Sequence, residues 1–285
     1  MATVPQRDIQ REAAQAESHW SPSEPTFTEQ NYPDLTGKTF VVTGGYTGIG
    51  YEVSRLLANQ NACAESAIAR LQEGNKSAIF DFAELDLADL TTIKSGAQYI
   101  TSRYAKIHGI VTNAGVMAPP VGSRSKQGYE LQLATNVLGH QLLQHFLDPV
   151  IIDTAKNEPA NTLRTIWSKC LNVYQSYLWG INHPDSQVVS VAVHPGYLQT
   201  ELARYMSAQV IQQRVSNRSL FPPLYGAYTE LYALLSPDVT TADLGDYYIP
   251  WGTKGYLRND IYESRDGPIA EKIDKWIQEQ IGPYK

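Results

Sequence analysis

The residues Thr43-Gly44-Gly45-Tyr46-Thr47-Gly48-Ile49-Gly50 carry the clearest chemical signal in this sequence of 285 residues. They follow the short β-branched and aromatic run Phe40-Val41-Val42. Beyond them Ile49, Val53, Leu56 and Leu57 recur at helical spacing. A glycine turn between a strand and a helix N-terminus presents backbone N–H groups without intrahelical partners, and these suit a pyrophosphate. Gly44 lets the chain turn tightly off the strand, Gly48 lets the backbone approach the phosphates, and Gly50 permits close helix–strand packing. Ile49 sits between the last two glycines, at the mouth of the helix. The bland alternative is a glycine turn that serves packing alone.

The spacing is Thr-Gly-x-x-x-Gly-x-Gly, and with it the chain resembles the short-chain dehydrogenase/reductase family from about Leu35 to about Gly252. The resemblance implies further site residues in the family's order. Asp86, in Leu85-Asp86-Leu87, falls where a carboxylate lies under the adenine ring. Asn113, in Asn113-Ala114-Gly115, belongs to the motif that closes the family's fourth strand and lines the cofactor pocket. Asn136 matches the helix asparagine that holds a water in a proton relay, and Lys169 the lysine that supports catalysis and holds the nicotinamide ribose. Pro195-Gly196, with Thr200 downstream, resembles the loop against the nicotinamide. Taken singly, Asp86 reads as a helix N-cap before Leu90 and Ile93, Asn136 as a polar helix residue, and Pro195-Gly196 as a turn. The run from Asn113 to Pro120 and the tail Ile249-Pro250-Trp251-Gly252 favour the retinol-dehydrogenase-like branch, which includes many fungal biosynthetic reductases and implies secondary metabolism.

The implied reaction is hydride transfer between nicotinamide and a carbonyl or secondary alcohol, with NADP tilted over NAD by branch membership. It needs a tyrosine phenol as acid, a lysine four residues later that lowers its pKa, and a serine that orients the carbonyl. No lysine in this chain has a tyrosine four positions before it. In Thr165-Ile166-Trp167-Ser168-Lys169, threonine stands where tyrosine belongs, and its hydroxyl titrates far above a phenol. The strand Leu163–Trp167 runs straight into Ser168, so roughly fifteen to thirty residues are absent relative to a doubly wound dehydrogenase. Tyr174 and Tyr177 do not share the face of Lys169 on a following helix. His194 and Tyr197 flank the Pro-Gly turn, where packing is the commoner role.

The positioning elements read as alternating strands and helices. Beyond the first strand, Ala78–Leu85, Ile107–Thr112, Leu163–Trp167, Val188–Val193 and Asp246–Ile249 are strand candidates with helical patterns between most of them. This alternation predicts an α/β fold, a doubly wound parallel sheet of Rossmann type in one domain over 35–285. The second strand is reduced to Ala62–Ala64, leaving Glu65 as a candidate for the cofactor ribose that reads equally well as a first-turn helix residue. Residues 1–34 form a polar extension, surface-bound or mobile, with a helical turn or two within 6–17. Ile269, Ile273, Trp276, Ile277 and Ile281 mark an amphipathic C-terminal helix.

Composition narrows the classes. With 42% hydrophobic and 18% charged residues the chain can bury a large core. Its net charge of −6, without a basic run, argues against a nucleic-acid partner. Cys63 and Cys170 form no metal-ligand cluster, and no metal is expected. An apolar signal segment and a membrane span are missing, so the expected place is the cytoplasm. Tyr205, Phe221, Tyr225 and Tyr228 fit a lid over a small apolar substrate and fit helix packing equally well. A homodimer is a family habit that nothing in the sequence fixes.

Three readings follow: a reductase impaired by loss of its serine and tyrosine, a binding protein or non-redox catalyst on the same fold, and a form lacking two internal segments of an ordinary reductase.

Overall fold

Short β-branched runs alternating with amphipathic helices produce, in the computed structural model of the chain, a six-stranded sheet with helices on both faces. Residues 8–59, 79–168, 172–215 and 220–285 are described. The strands are β1 (Phe40–Val42), β2 (Gly109–Thr112), β3 (Arg164–Trp167), β4 (Val189–Val193), β5 (Tyr247–Ile249) and β6 (Thr253–Lys254), adjacent in that order. The first five are parallel, and β6 returns antiparallel against β5. The helices are α1 (Ile9–Ser18), α2 (Gly48–Asn59), α3 (Leu90–Arg103), α4 (Gly139–Ala155), α5 (Asn172–Asn182), α6 (Ala208–Val215), α7 (Pro223–Leu235), α8 (Asn259–Ser264) and α9 (Pro268–Ile281).

Side chains alternate across each strand, so neighbours in sequence feed opposite cores. Val111 of β2 and Ile166 of β3 are paired in register and pack toward α2 and α7, beside Val53, Leu56, Leu57 and Leu231. Ile110 and Trp167 enter the other core, with Leu90 and Ile93 of α3, Leu142 and Leu147 of α4, Trp179 of α5 and Ile277 of α9. This is the Rossmann-like α/β architecture expected from the sequence. Among the described residues no helix is long and apolar enough to cross a membrane.

One expectation needs correction. The segment expected as the strand Ala78–Leu85 forms no strand over residues 79–85. It is held by side chains instead of a ladder: Asp81 accepts hydrogen bonds from the Tyr99 hydroxyl (2.6 Å) and the Tyr104 hydroxyl (3.1 Å). Ile79 and Phe82 stay 61% and 51% exposed, because a β-pattern is realised only where a partner strand pairs with it. The reduced second strand Ala62–Ala64, with Glu65, lies outside the described residues.

Of the two alternatives for the polar N-terminal stretch, surface-bound or mobile, the described part, from Asp8 on, takes the first. It contains a helix of 10 residues, α1, capped by Asp8, whose carboxylate accepts from Arg11 N at 3.0 Å. Gln15 of α1 clasps the backbone of Tyr256, its Nε2 donating to the carbonyl at 2.8 Å while its Oε1 accepts from the amide. The Arg11 guanidinium lies 3.9 Å from the centre of the Tyr256 ring. Farther on, Phe27, Tyr32 and Leu35 join the core beneath α7. The stretch is therefore bound to the sheet layer.

The helix pair nearest the candidate site is fixed by a close approach. A Cβ placed on Gly139, the first residue of α4, would collide with the Leu87 carbonyl, in the same turn as Asp86. Gly139→Ala should therefore lower stability by about 1–3 kcal/mol through overpacking. Thermal and urea unfolding test this, and a variant as stable as the parent would show that the Leu87 turn yields freely.

Candidate functional site

The C-terminal ends of β1 and β2 are bolted together by one side chain. Thr43, immediately after β1, accepts a hydrogen bond on its hydroxyl from Ala114 N (2.9 Å), and the same hydroxyl lies 2.9 Å from His140 Nε2 of α4. Asn113 Nδ2 donates to the Thr43 carbonyl at 3.0 Å. The glycine turn is thereby held against the end of β2. Gly44 has φ +66 and lies so near Ala114 that an added Cβ would come within 3.1 Å of it. At Gly50 a Cβ would overlap both the Asn113 amide and the Gly44 carbonyl. Only glycine fits these places, and the α2 N-terminus is left facing outward with Gly48 and Ile49 at its mouth.

A cavity of about 440 Å³ opens beside this turn. Gly44, Gly45, Tyr46, Asp86, Gly115 and Thr135 line it. The Asp86 carboxylate accepts from Ala88 N at 2.8 Å, which leaves it fixed at the cavity wall. Asp86 is not the cap of α3; that place belongs to Asp89, whose carboxylate accepts from Thr91 N at 3.1 Å. The sequence thus put the helix start three residues early when Asp86 was read as a cap.

Asn136 stands in a π-helical turn, Ala134–Leu138, that leads into α4. Its amide grips Val116 from both sides: Oδ1 accepts from Val116 N and Nδ2 donates to Val116 O, each at 2.9 Å. The widened turn exposes the Asn136 carbonyl, and Asn172 Nδ2 of α5 donates to it at 3.3 Å. Asn172 is fully buried and also bonds Gln175, whose own amide reaches Gln141 at 2.8 Å. This amide chain was invisible in the sequence, although Asn172 follows Lys169 at one helical repeat.

Pro195, Gly196 and Thr200 follow β4 on the same sheet end. Gly196 has φ +100 and packs against Trp251 and Pro250, the tail motif. Thr200 rests on the glycine turn, 3.4 Å from where a Cβ of Gly48 would stand, and Leu198 packs between Ile49 and Gly226. The N-terminal stretch lies on this loop. Trp20 stacks on Tyr197 with centroids 4.0 Å apart, and His19 stacks on His194 at 4.6 Å. His194 Nδ1 accepts from Gly196 N at 3.1 Å, which places its proton on Nε2. Burial, and the neighbouring His19, bring its pKa down to about 4, while burial also lowers that of His19. Both residues were missed as neighbours because nothing periodic links residues 19–20 to 194–197.

The catalytic half is built differently. Thr165 lies inside β3, fully buried, donating to Gln144 Oε1 at 2.9 Å. Ser168 is buried as well and donates to Glu230 Oε1 of α7 at 3.1 Å. Lys169 lies outside the described residues. Tyr174 bonds Ser264 of α8 at 2.7 Å, and Tyr177 packs under the Arg265 guanidinium at 4.6 Å, so both tyrosines dock the C-terminal segment. Phe221, Tyr225 and Tyr228 form an aromatic cluster with Trp251, leaving Tyr205 as the aromatic of that group that lines the cavity.

Residues 38–156 match the family described as short chain dehydrogenase. A short-chain dehydrogenase/reductase of Phomopsis amygdali is 33% identical over 321 aligned positions, covering 92% of this chain and 95% of that protein. The aligned length exceeds the 285 residues of this chain, so it includes positions of the relative that have no counterpart here. Among solved structures, the 3-ketoacyl-(acyl-carrier-protein) reductase of Brucella melitensis complexed with NADH is similar in fold, with a TM-score of 0.61 and 16% identity over 76% of this chain and 98% of that one. The NADPH-bound carbonyl reductase from chicken fatty liver is similar with a TM-score of 0.58 and 17% identity, over 78% of this chain and 100% of that one.

The His194 environment has a pH consequence. The ring takes up a proton near pH 6.5 when unfolded but only near 4 when folded, so the unfolded chain binds more protons in between. Its contribution is complete above pH 6.5 and is lost as pH falls toward 4. Urea unfolding at about pH 7.5 and about pH 5 should show a loss that is smaller in His194→Gln by about 1–2 kcal/mol. Equal losses in the two proteins would refute the assignment.

Proposed function

Because the chain belongs to the short-chain dehydrogenase/reductase family, we propose that it binds NAD(P)(H) along the glycine turn, but that its lineage reaction, hydride transfer to or from a carbonyl or secondary alcohol, is severely impaired. The fit on the phosphate side rests on the turn itself: Gly44 and Gly50 pack so closely on Ala114, Asn113 and each other that its backbone is held in place, and Gly44 and Gly45 line about 440 Å³ of space. Gly44, Gly48, Ile49 and Gly50 would hold the pyrophosphate through backbone N–H groups, Asp86 the adenine, Asn113 the pocket wall, and Pro195, Gly196 and Thr200 the nicotinamide end. Lys169 and Asn136 are the surviving candidates for the ribose and the relay.

Such a cofactor, when bound, supplies the hydride; the chain must supply a proton to the carbonyl oxygen. The observation that carries the proposal is that no lysine follows a tyrosine at the required spacing and that Thr165, in the tyrosine's place, is buried in β3 and bonded to Gln144. An acid there would be sealed between β3 and α4. Asn172 donates to the Asn136 carbonyl, the group a relay water would use, which further supports an interrupted proton path. His194 is neutral and enclosed by His19, and so is a poor acid at neutral pH.

A second reading, a binding protein without redox chemistry, is favoured by the stacking of His19 and Trp20 over the Pro195-Gly196 loop. Preference for NADP and for a small apolar substrate are finer points of the first reading.

Calorimetry should detect NADPH or ADP-ribose binding to the full chain, weakened at least tenfold in Gly50→Val, whose side chain would collide with the Asn113 amide and the Gly44 carbonyl and displace the turn. NADPH oxidation with a panel of ketones and aldehydes should stay far below the roughly 1–1,000 s⁻¹ of ordinary enzymes. Thr165→Tyr should not restore it and should destabilise the fold, since the phenol has no room in β3. Turnover at ordinary rates by the unaltered chain would overturn the impairment.

A further inference from the structure

We infer that Arg204 is the cationic clamp for the dinucleotide pyrophosphate, an inference that rests on the NAD(P) reading and adds to it a residue outside the glycine motif. The starting point is a charge deficit. The turn Thr43–Gly50 contains no lysine or arginine, and the next cation along α2, Arg55, is engaged by Glu52 at 2.8 Å. A helix N-terminus offers roughly half an elementary charge, while a pyrophosphate diester carries two full negative ones. The cavity's own carboxylates do not help: Asp86 lines it, as does Asp81, whose charge is met by Arg103 at 3.6 Å. Among the described residues lining that cavity, Arg204 is the one cation.

Its position follows from the chain path. After β4 the loop descends onto the glycine turn, with Leu198 against Ile49 and Thr200 against Gly48. The Thr200 hydroxyl then accepts from Leu202 N at 3.3 Å and starts the short 3-10 turn Glu201–Ala203, which delivers Arg204 and Tyr205 to the cavity wall. Thr200 therefore anchors the loop on the pyrophosphate-binding turn, and Arg204 projects from four residues beyond that anchor. The guanidinium makes only local contacts, donating to the Glu201 carbonyl at 3.1 Å and lying 5.0 Å from the centre of the Tyr205 ring. Neither contact neutralises its charge. An arginine at an exposed wall, tethered to a phosphate-type turn and facing no carboxylate in these contacts, is suited to bidentate recognition of phosphate oxygens.

The test compares the full chain with Arg204→Gln and Arg204→Lys by calorimetry, using NADH, NADPH, ADP-ribose and adenosine as probes. The clamp predicts that Arg204→Gln weakens NADH, NADPH and ADP-ribose alike, by roughly tenfold to a hundredfold, the range of a charge-assisted hydrogen bond. Adenosine binding should be unchanged, and Arg204→Lys should recover part of the loss. The exposed position makes thermal unfolding of both variants match the parent. A loss confined to NADPH would overturn the assignment, since it would place the guanidinium on the 2′-phosphate instead. Parent-like affinity of Arg204→Gln for all three phosphorylated probes would overturn it while leaving the NAD(P) reading intact. Failure of the unaltered chain to bind any of them would overturn the NAD(P) reading and this assignment together.

Discussion

The hydroxyl of Thr43 ties three elements together, and the geometry of the candidate site depends on that junction. Parallel strands end in unpaired backbone groups, and a turn leaving such an edge has nothing of its own to fix its direction. Here the Thr43 side chain receives the Ala114 amide from the end of β2 and meets His140 from α4, while the Thr43 carbonyl receives the Asn113 amide. The glycine turn is consequently aimed before α2 begins. The tolerance is narrow: side chains at Gly44 or Gly50 would push the two strand ends apart. Phosphate recognition of this type relies on backbone positions, and the backbone is set by buried hydrogen bonds on the protein side.

The opposite half of the sheet end lacks an equivalent construction. Between the end of β3 at Trp167 and the start of α5 at Asn172 only residues 168–171 intervene. Ser168 is turned into the core toward Glu230. The neighbouring ground, at the end of β4, is covered by His19 and Trp20 from the far N-terminus. The stacked rings bury apolar surface there and exclude water from His194, whose low proton affinity is the electrostatic signature of that enclosure.

Much of this was legible in the sequence because short-range physics determines it. A strand run, a glycine turn and an apolar stripe at helical spacing define β1, the turn and α2 wherever the rest of the chain goes. The strands β2 to β4 were visible as runs rich in β-branched residues, and they are buried on both faces. Long-range partnership was not legible. The run Ala78–Leu85 has the composition of a strand, yet Asp81 is taken by two tyrosine hydroxyls of the α3 region and the backbone stays unpaired by any described strand. The N-terminal stretch is polar on average, and the few residues that dock it, Gln15, His19, Trp20 and Phe27, are spaced without a period. The absent tyrosine was legible, whereas the burial of Thr165 in its place needed the register of β3 against β2 and β4.

The glycine turn and the segment that follows β3 are thus supported by separate parts of the fold. The glycine turn leans on β1, β2, α2 and α4, elements whose side chains fill both cores. Past β3, whose register sets Ile166 opposite Val191, α5 brings Trp179 into the core. The Asn136 carbonyl, in the π-helical turn, is approached by His140 Nδ1 at 3.3 Å. Asn172 satisfies it. An unsatisfied carbonyl there would cost about 1–3 kcal/mol, a large fraction of a domain's net stability, so these contacts tie the π-helical turn to α4 and α5.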